Sequence, residues 1–514
     1  MHRVSFIDGI LGPWVGRASQ GLSSSLEIKN VVWIIVCFGI VLRITQYLYN
    51  RSLWVDEAML ALNIIHRPLH ELLAPLSYNQ GAPVGFLMIQ KLFVDLLGQS
   101  EYALRLFPLL CGIISLFLFV KVAQHFVEMK SLMLATALFA ISYKLIFYSS
   151  EFKQYSSDVA IALGLYAVMF HIQIAGLNAA RWIAFGILGG IVIWFSHPAA
   201  FILAGIGVSL SVCFAYQKQW SKLLFFTTVG LLWAISFAAL FLISLSNLSQ
   251  NSVLLNYWSY GFMPFPPKSV ADLRWFDETF FKIFKEPLGL LPASIAAATF
   301  LIGGVSMAIE RKDKFFLLAA PIMFALLASG LQSYPFTGRL LLFAAPFIIV
   351  CIAEGVMRVG LLVRSKQNML NAGVASVLLV PQLIYSCTIL VKPYFFEDVK
   401  PAMEYISKRW QKGDILYVYH GAQPTFQFYS AKYGFSEKEY VHGEANRENL
   451  LVFENELLAF KNHKRFWVLF AHIDRSNGID DVNLFLEHIG RNRTLTHAFK
   501  GTDAAAYLYS KLNP

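Results

Sequence analysis

The sequence has few charged residues and few cysteines. Only 14% of its 514 residues are charged, against roughly a quarter in soluble domains, whereas 57% are hydrophobic. The charge is missing from long apolar runs, so lipid is the expected solvent for most of the chain. The five cysteines all fall inside these runs and form no C-x-x-C pair, which argues against a disulfide framework and a zinc site. They are Cys37, Cys111, Cys213, Cys351 and Cys387.

Nucleic acid is not an expected partner, although the net charge is +10. No basic patch interleaved with aromatic residues occurs, and basic loops are common on integral membrane proteins. The pattern therefore predicts membrane lipids as the surroundings.

Eleven segments approach the roughly 20 apolar residues that a membrane helix needs. They are 31–49, 103–124, 131–148, 157–176, 182–197, 199–216, 222–246, 288–309, 315–332, 338–357 and 368–391. The prediction is a polytopic α-helical membrane protein with about eleven transmembrane helices and additional juxtamembrane helices. The first run begins behind a 29-residue leader with no cleavage pattern, so we interpret it as a retained helix.

Basic residues in the short loops give the orientation. With the N-terminus in the cytoplasm, every inner turn is basic, and eleven crossings place the tail from Lys392 outside. Segment 82–98 would invert this pattern if it crossed the membrane, so we predict that it is an interfacial helix within an outer loop, 50–102. A second outer segment covers 247–287. Residues 1–391 then form the membrane domain.

The tail, 392–514, is predicted to be a soluble extracytoplasmic α/β domain. Helices are expected at 398–410 and near 479–490, and strands at Ile415–Tyr419, Arg465–His472, 494–499 and 505–510. It contains neither G-x-G-x-x-G nor a P-loop. Four rings in the tail either stack on a sugar or form strand and helix faces: Tyr417, Tyr419, His420 and Tyr429.

Charged and titratable residues concentrate at the predicted outer helix ends. They are Arg43, Asp56, Glu57, Arg105, Lys144, Glu151, Lys153, Asp158, His197 and Arg339. Charge near a membrane is costly and is by default a functional hypothesis. A transporter more often places charge at the midplane, on broken helices. An outer cluster of carboxylates and cations favours a reaction site at headgroup level.

Asp56 and Glu57 are the leading catalytic candidates. A carboxylate there can take the proton from an attacking hydroxyl. The structural alternative is an acidic pair in the first turn of the next helix. Arg105, Lys153 and Arg339 are candidates for phosphate contact.

Glu151 and Asp158 are seven residues apart, so a continuous helix would place both on one side. They are candidates for coordinating a divalent cation or holding substrate hydroxyls. The alternative is a solvated turn with Asp158 capping a helix. His197 is a candidate substrate contact or a loop histidine with no function in binding.

These residues resemble a known family, the GT-C class of membrane glycosyltransferases. Within that class the chain is most similar to bacterial relatives of protein O-mannosyltransferases and of the lipid A aminoarabinose transferase. Trp54-Val55-Asp56-Glu57 matches the acidic motif of the first outer loop, and 59–73 and 82–98 match its juxtamembrane helices. Gly98–Arg105 approximates the entry to the second helix. The resemblance covers roughly 1–391.

The resemblance implies a polyprenyl-phosphate sugar donor, an inverting displacement, Asp56 as base and Glu57 as a positioning or assisting acid. It also implies a glycan, lipid or protein acceptor at the outer face of a bacterial inner membrane. The chain departs from the lipid A enzymes at Asn79-Gln80-Gly81-Ala82-Pro83-Val84, where a lysine is expected. The alternatives are a flippase or transporter of lipid-linked sugars and a non-catalytic envelope assembly subunit.

Overall fold

The computed structural model describes residues 22–174, 178–444, 456, 460, 462–473, 481–491 and 493–511. The leader that precedes the first apolar run lies outside these ranges, except for its last few residues. Within them, the first part of the chain is helical and the tail is a mixed α/β domain.

The membrane domain is built from helices that match the predicted apolar runs closely. They are α1 Leu22–Leu48, α2 Val55–His66, α3 Val84–Leu97, α4 Glu101–Ala123, α5 Met129–Ile141, α6 Tyr143–Tyr148, α7 Tyr155–Ile174, α8 Ala179–Val192, α9 Ala199–Tyr216, α10 Trp220–Leu240, α11 Ser246–Ser249, α12 Ser252–Tyr257, α13 Val270–Lys285, α14 Ala293–Glu310, α15 Lys312–Gly330, α16 Ala345–Val359 and α17 Gln367–Ile389. A π-helical turn, Phe241–Leu245, joins α10 to α11.

Nine spans in the described ranges are long and apolar enough to cross a membrane, and the chain is a multi-pass membrane protein. Helices α5 and α8 are apolar but shorter. The predicted segment 131–148 is broken at Ser142, whose hydroxyl accepts a hydrogen bond from Leu145 N at 3.4 Å and so caps α6. The count of eleven crossings stays a prediction.

Helix α16 lies at the centre of the bundle, buried along nearly all of its length. It packs against α14 at Gly303 and Gly355, where each glycine lies against the backbone of the other helix and a Cβ would clash. Small residues at such crossings let two membrane helices approach closely. The span that begins with α10 lies on the outside of the bundle and exposes most of its apolar surface.

The tail contains α18 Val399–Ser407, α19 Gln423–Tyr429 and α20 Asp481–Gly490, and five strands. The strands are β1 Ile415–Val418, β2 Tyr440–His442, β3 Arg465–Ala471, β4 Arg493–Lys500 and β5 Ala504–Lys511. Their order is β2-β1-β3-β5-β4, with β1 parallel to β2 and β3 and with β5 antiparallel to β3 and β4. Residues 479–480 of the last predicted helix lie outside the described ranges. Strand β2 was not predicted.

The tail domain packs onto the outer loop through buried polar contacts. Leu53 N donates to the Tyr429 hydroxyl at 2.9 Å, and that hydroxyl donates to Glu101 at 3.1 Å. Lys400 forms an ion pair with Glu101 at 2.8 Å. Tyr417, Tyr419 and Tyr429 are buried inside the protein, so these three rings form domain core instead of a sugar-stacking surface.

Candidate functional site

The acidic motif lies at the start of α2. Trp54 precedes the helix, and Asp56 and Glu57 occupy its first turn, where the helix dipole favours negative charge. Asp56 and Glu57 therefore lie in the first turn of a helix, as the structural alternative predicted. Because successive residues on a helix point about 100° apart, the two carboxylates face different surroundings.

Asp56 faces a cluster of two cations and one amide. Its carboxylate lies 3.0 Å from Lys153 Nζ and 2.8 Å from the Arg339 guanidinium, and it accepts a hydrogen bond from Gln80 Nε2 at 3.1 Å. Lys153 also donates to Gln80 Oε1 at 2.7 Å. Burial alone would raise the pKa of Asp56, but Lys153 and Arg339 outweigh it and hold that pKa well below its usual range. Asp56 is therefore ionised.

Glu57 faces the protein interior. Its carboxylate pairs with Arg105 at 2.5 and 2.9 Å and accepts a hydrogen bond from Phe152 N at 2.6 Å. Arg105 also donates to the carbonyl oxygens of Arg51 and Ser52. Burial opposes the charged carboxylate, but the adjacent Arg105 lowers the pKa of Glu57. Glu57 thus ties the motif to α4 and to the turn before α7.

Glu151 lies in that turn, because α7 begins only at Tyr155. Glu151 and Asp158 therefore do not share one continuous helix, and Glu151 lies in the loop between the predicted segments 131–148 and 157–176. Glu151 accepts a hydrogen bond from Trp54 Nε1 at 3.2 Å and is fully buried. Burial and the nearby Glu57 raise the pKa of Glu151 to about 7. Asp158 lies in the first turn of α7, buried beside Ser196.

A cavity of about 690 Å³ opens beside Asp56. Its charged and titratable lining residues include Asp56, Lys153, Arg339 and His472. Much of the remaining lining is apolar or aromatic and comes from two stretches of the chain, Phe237, Phe241, Leu245 and Leu248 in the first and Val253, Leu254, Leu255, Tyr257 and Trp258 in the second. Four predicted site residues lie behind this surface and outside the cavity lining: Glu57, Arg105, Glu151 and Asp158.

Arg339 enters the site between aromatic rings. Its guanidinium lies 5.4 Å from the Trp54 ring, 5.5 Å from Tyr155 and 5.8 Å from Trp258. Such contacts attract a cation and fix the plane of its guanidinium. Trp258 belongs to the second outer segment, so that segment helps to build the site.

His197 lies in the turn between α8 and α9 and lines the same cavity. Its Nε2 is buried and has no hydrogen-bond partner within the described ranges. Burial lowers the pKa of His197 to about 4, so the ring is neutral near pH 7. Gln154, which sequence reasoning did not select, also lines the cavity with an unpartnered buried Oε1.

The tail domain contributes Glu397 and His472. Glu397 accepts a hydrogen bond from Val55 N at 3.2 Å and pairs with His472 Nδ1 at 3.1 Å. With Asp503, these residues form the one three-ligand group with metal-compatible spacing among the described side chains. Glu151 and Asp158 are not in that group, so the predicted divalent cation stays a prediction.

Four further residues of the site gave little sequence signal. Gln80 and Gln154 are uncharged, and Glu397 and His472 belong to the distant tail. Only the folded chain brings these residues close to the acidic motif of Asp56 and Glu57. The sequence could have indicated Gln80, since this residue lies in the segment where the chain departs from the lipid A enzymes. Arg43 and Lys144 lie apart from the cavity lining, and Lys144 pairs with Glu286 at 2.6 Å.

Sequence comparison identifies no relative, since no protein-family model and no curated protein matches the chain. Structure comparison identifies solved structures with a similar fold. The apo crystal structure of ArnT from Cupriavidus metallidurans has a TM-score of 0.51 at 12% identity, covering 93% of this chain and 98% of that one. ArnT bound to undecaprenyl phosphate gives 0.52 at 11% identity with the same coverage. AglB, an oligosaccharyltransferase from Archaeoglobus fulgidus in complex with an inhibitory peptide and a dolichol-phosphate, gives 0.48 at 10%, covering 94% and 74%.

Identities this low define the fold alone. The ArnT alignments span the membrane domain and most of the tail, which extends the likeness beyond residue 391. The predicted resemblance is confirmed at this level: the chain has the fold of ArnT, that of a GT-C membrane glycosyltransferase.

Proposed function

We propose that the chain is a membrane glycosyltransferase that moves a sugar from a polyprenyl-phosphate donor to an acceptor hydroxyl. One observation carries the proposal: a single cavity combines an ionised carboxylate, two cations and a long apolar wall. The crystal structure of ArnT with undecaprenyl phosphate supports this class of lipid for the shared fold.

The apolar wall suits a polyprenyl chain. Phe237, Phe241, Leu245 and Leu248 line the cavity from one side. Phe237 and Phe241 are 39% and 42% exposed and belong to the span on the outside of the bundle. The wall therefore continues into lipid-facing surface, so a chain can enter from the bilayer while its phosphate reaches Lys153 and Arg339.

The reaction is a single displacement at the anomeric carbon. The acceptor oxygen forms the new C1–O bond as the bond from C1 to the phosphate oxygen breaks, and attack from the opposite face inverts the configuration. The acceptor proton passes to the Asp56 carboxylate. Polyprenyl phosphate leaves with the bonding electrons, and Lys153 and Arg339 stabilise its added negative charge.

The cations that bind the phosphate are those that hold Asp56. A strongly lowered pKa makes Asp56 a weak base in the empty site. Donor phosphate competes for Lys153 and Arg339, and its own negative charge raises the pKa of Asp56 by repulsion. Asp56 thus becomes a stronger base once the donor is bound.

Glu57 acts as a positioning residue in this scheme, which is one of the two roles that the resemblance implies for it. It lies outside the cavity lining and its carboxylate is held by Arg105 and Phe152 N. Arg105 likewise acts on the motif rather than on phosphate.

Asp56→Asn tests the proposal. The variant keeps the shape of the side chain but loses the base, so transfer from a synthetic polyprenyl-phosphate sugar in proteoliposomes should fall on the order of 100- to 10,000-fold. Asp95→Asn is the matched control, since Asp95 is an exposed carboxylate on α3 paired with Lys91. Full activity of Asp56→Asn would contradict the proposal. Lipid translocation without a new glycosidic bond would instead support transport.

We further propose the outer face of a bacterial inner membrane as the site of reaction, with the tail domain extracytoplasmic. The basic inner turns and the carboxylate-rich outer ends support this orientation. Cysteine accessibility tests it: a cysteine at exposed Lys412 should react with an impermeant reagent applied from outside, and one at exposed Lys121 should not.

A further inference from the structure

The cavity has a neutral polar patch beside its cation cluster. Gln154 lines the cavity and is 7% exposed, and its buried Oε1 has no hydrogen-bond partner in the described chain. His197 presents a buried Nε2 in the same state. Buried polar atoms are normally satisfied, and leaving them unpaired is unfavourable. Two side chains of one cavity lining that each hold an unpartnered polar atom favour a bound ligand that supplies the partners.

Sugar hydroxyls fit these atoms. A glutamine amide offers both an acceptor and donors, and a neutral imidazole offers one of each. Because burial lowers the pKa of His197 to about 4, the ring keeps both properties near pH 7. A hydroxyl group donates and accepts, so it can pair with either side chain in either orientation.

The position of the patch suits a group joined to the phosphate. Gln154 directly follows Lys153, and adjacent Cα atoms are about 3.8 Å apart. Lys153 itself contacts Asp56 at 3.0 Å. A sugar attached to a phosphate on Lys153 therefore lies within reach of Gln154 and of the base.

The charges around the cavity exclude a charged sugar. Asp56 is the one carboxylate among the described lining residues, and Lys153 and Arg339 already bind it. In the proposed reaction that carboxylate is needed for the acceptor proton, and the two cations are needed for phosphate. Neither an ammonium group nor a second carboxylate on the sugar would find a free counter-ion.

We infer, building on the proposed function, that Gln154 and His197 form the sugar subsite and that the donor sugar is uncharged and polyhydroxylated. The subsite recognises hydroxyl groups, while Lys153 and Arg339 recognise phosphate. Recognition of the sugar and of the lipid phosphate is thereby divided between separate residues, which makes the two experimentally separable.

The test measures binding of three lipids to the full chain in nanodiscs by native mass spectrometry. They are undecaprenyl phosphate, its hexose derivative and its 4-amino-4-deoxypentose derivative. Wild type should bind the hexose lipid about five- to tenfold more tightly than the sugar-free lipid, since two net hydrogen bonds are gained. The amino sugar should show no such advantage.

Substitutions locate the effect. Gln154→Ala with His197→Ala should abolish the advantage of the hexose lipid and leave undecaprenyl phosphate binding unchanged, which also shows that the variant is folded. Gln124→Ala, an exposed glutamine at the far end of α4, is the matched control and should behave as wild type. Gln154→Glu should lower hexose preference and raise affinity for the amino sugar, because it adds a counter-ion.

Two outcomes would overturn the inference: equal binding of hexose and sugar-free lipid by wild type, or tighter binding of the amino sugar. A retained hexose advantage in the double variant would remove Gln154 and His197 from the subsite. Failure of all three lipids to bind would instead overturn the proposed function, so the two failures are distinguishable.

Discussion

Glu57 and Arg105 form a buried two-point ion pair, with Arg105 Nε 2.9 Å from one carboxylate oxygen and Nη2 2.5 Å from the other. Arg105 is 1% exposed and Glu57 is fully buried. The pair joins the outer loop to α4, and Arg105 also binds two loop carbonyl groups. Orientation of α2, and hence of Asp56, therefore depends on a contact that lies outside the cavity lining.

Removing one member of this pair should destabilise the protein. Glu57→Gln or Arg105→Met leaves an uncompensated polar group or charge, which typically costs about 3–5 kcal/mol in a buried pair. We expect a lower apparent melting temperature in detergent and a lower yield of monodisperse protein. Asp95→Asn, which breaks an exposed pair, should change neither quantity.

A double variant separates structure from chemistry. Glu57→Gln combined with Arg105→Met removes both charges and should recover part of the lost stability. If Glu57 only positions α2, the recovered protein should also recover part of its transfer activity. Stability regained with activity still absent would show that Glu57 acts in the reaction itself.

Arg339 should not be replaceable by lysine. Its planar guanidinium lies among the rings of Trp54, Tyr155 and Trp258 and reaches Asp56 at 2.8 Å. Lysine keeps the charge, but its ammonium group cannot stack on the rings and does not donate hydrogen bonds in a fixed plane. We expect Arg339→Lys to raise the Kd for undecaprenyl phosphate about tenfold or more. Arg274→Lys, in α13 and outside the cavity lining, is the control, and equal affinities of both variants would contradict the role of the rings.

Tyr429→Phe tests the interface between the tail domain and the outer loop. The hydroxyl links Leu53 N to Glu101, and its loss leaves a buried N–H without its partner, at a cost of about 1–3 kcal/mol. We expect the tail to detach more often and to be cleaved faster by protease near residue 392, with the membrane domain intact. Tyr216→Phe, an exposed tyrosine at the end of α9, provides the comparison. Identical cleavage rates would show that the interface does not depend on this hydroxyl.

The sequence predicted the elements of this fold better than it predicted the partners of individual residues. Apolar runs mark membrane helices directly, and short runs of strand-forming residues between helical segments predicted β1, β3, β4 and β5. Strand β2 has only three residues, too few for a periodic signal. The break before Tyr155 was predicted, because the polar residues 149–156 separate the apolar segments 131–148 and 157–176. Gln80 and Gln154 were missed because neutral amides give no charge pattern, and their importance arises only from contacts made across the fold.

Glu151 provides a prediction about pH. Its pKa is raised from 4.5 to about 7, chiefly by burial, so between these values the folded protein holds a proton that the unfolded chain has released. The free energy of unfolding contributed by this group therefore falls as the pH rises through that window. Glu151→Gln is a neutral equivalent and should match wild type below about pH 4, where Glu151 is protonated in both the folded and the unfolded chain. At pH 8 it should be the more stable protein, by on the order of 1–3 kcal/mol. Paired thermal melts of both proteins across this range measure the difference. The pKa values of Asp56 and Glu57 are lowered in the fold, so both groups stay ionised throughout this window in either protein and add little pH dependence to the comparison. A difference that does not change with pH would mean that Glu151 stays ionised in the fold, and that Trp54 and Arg51 are sufficient to hold its charge.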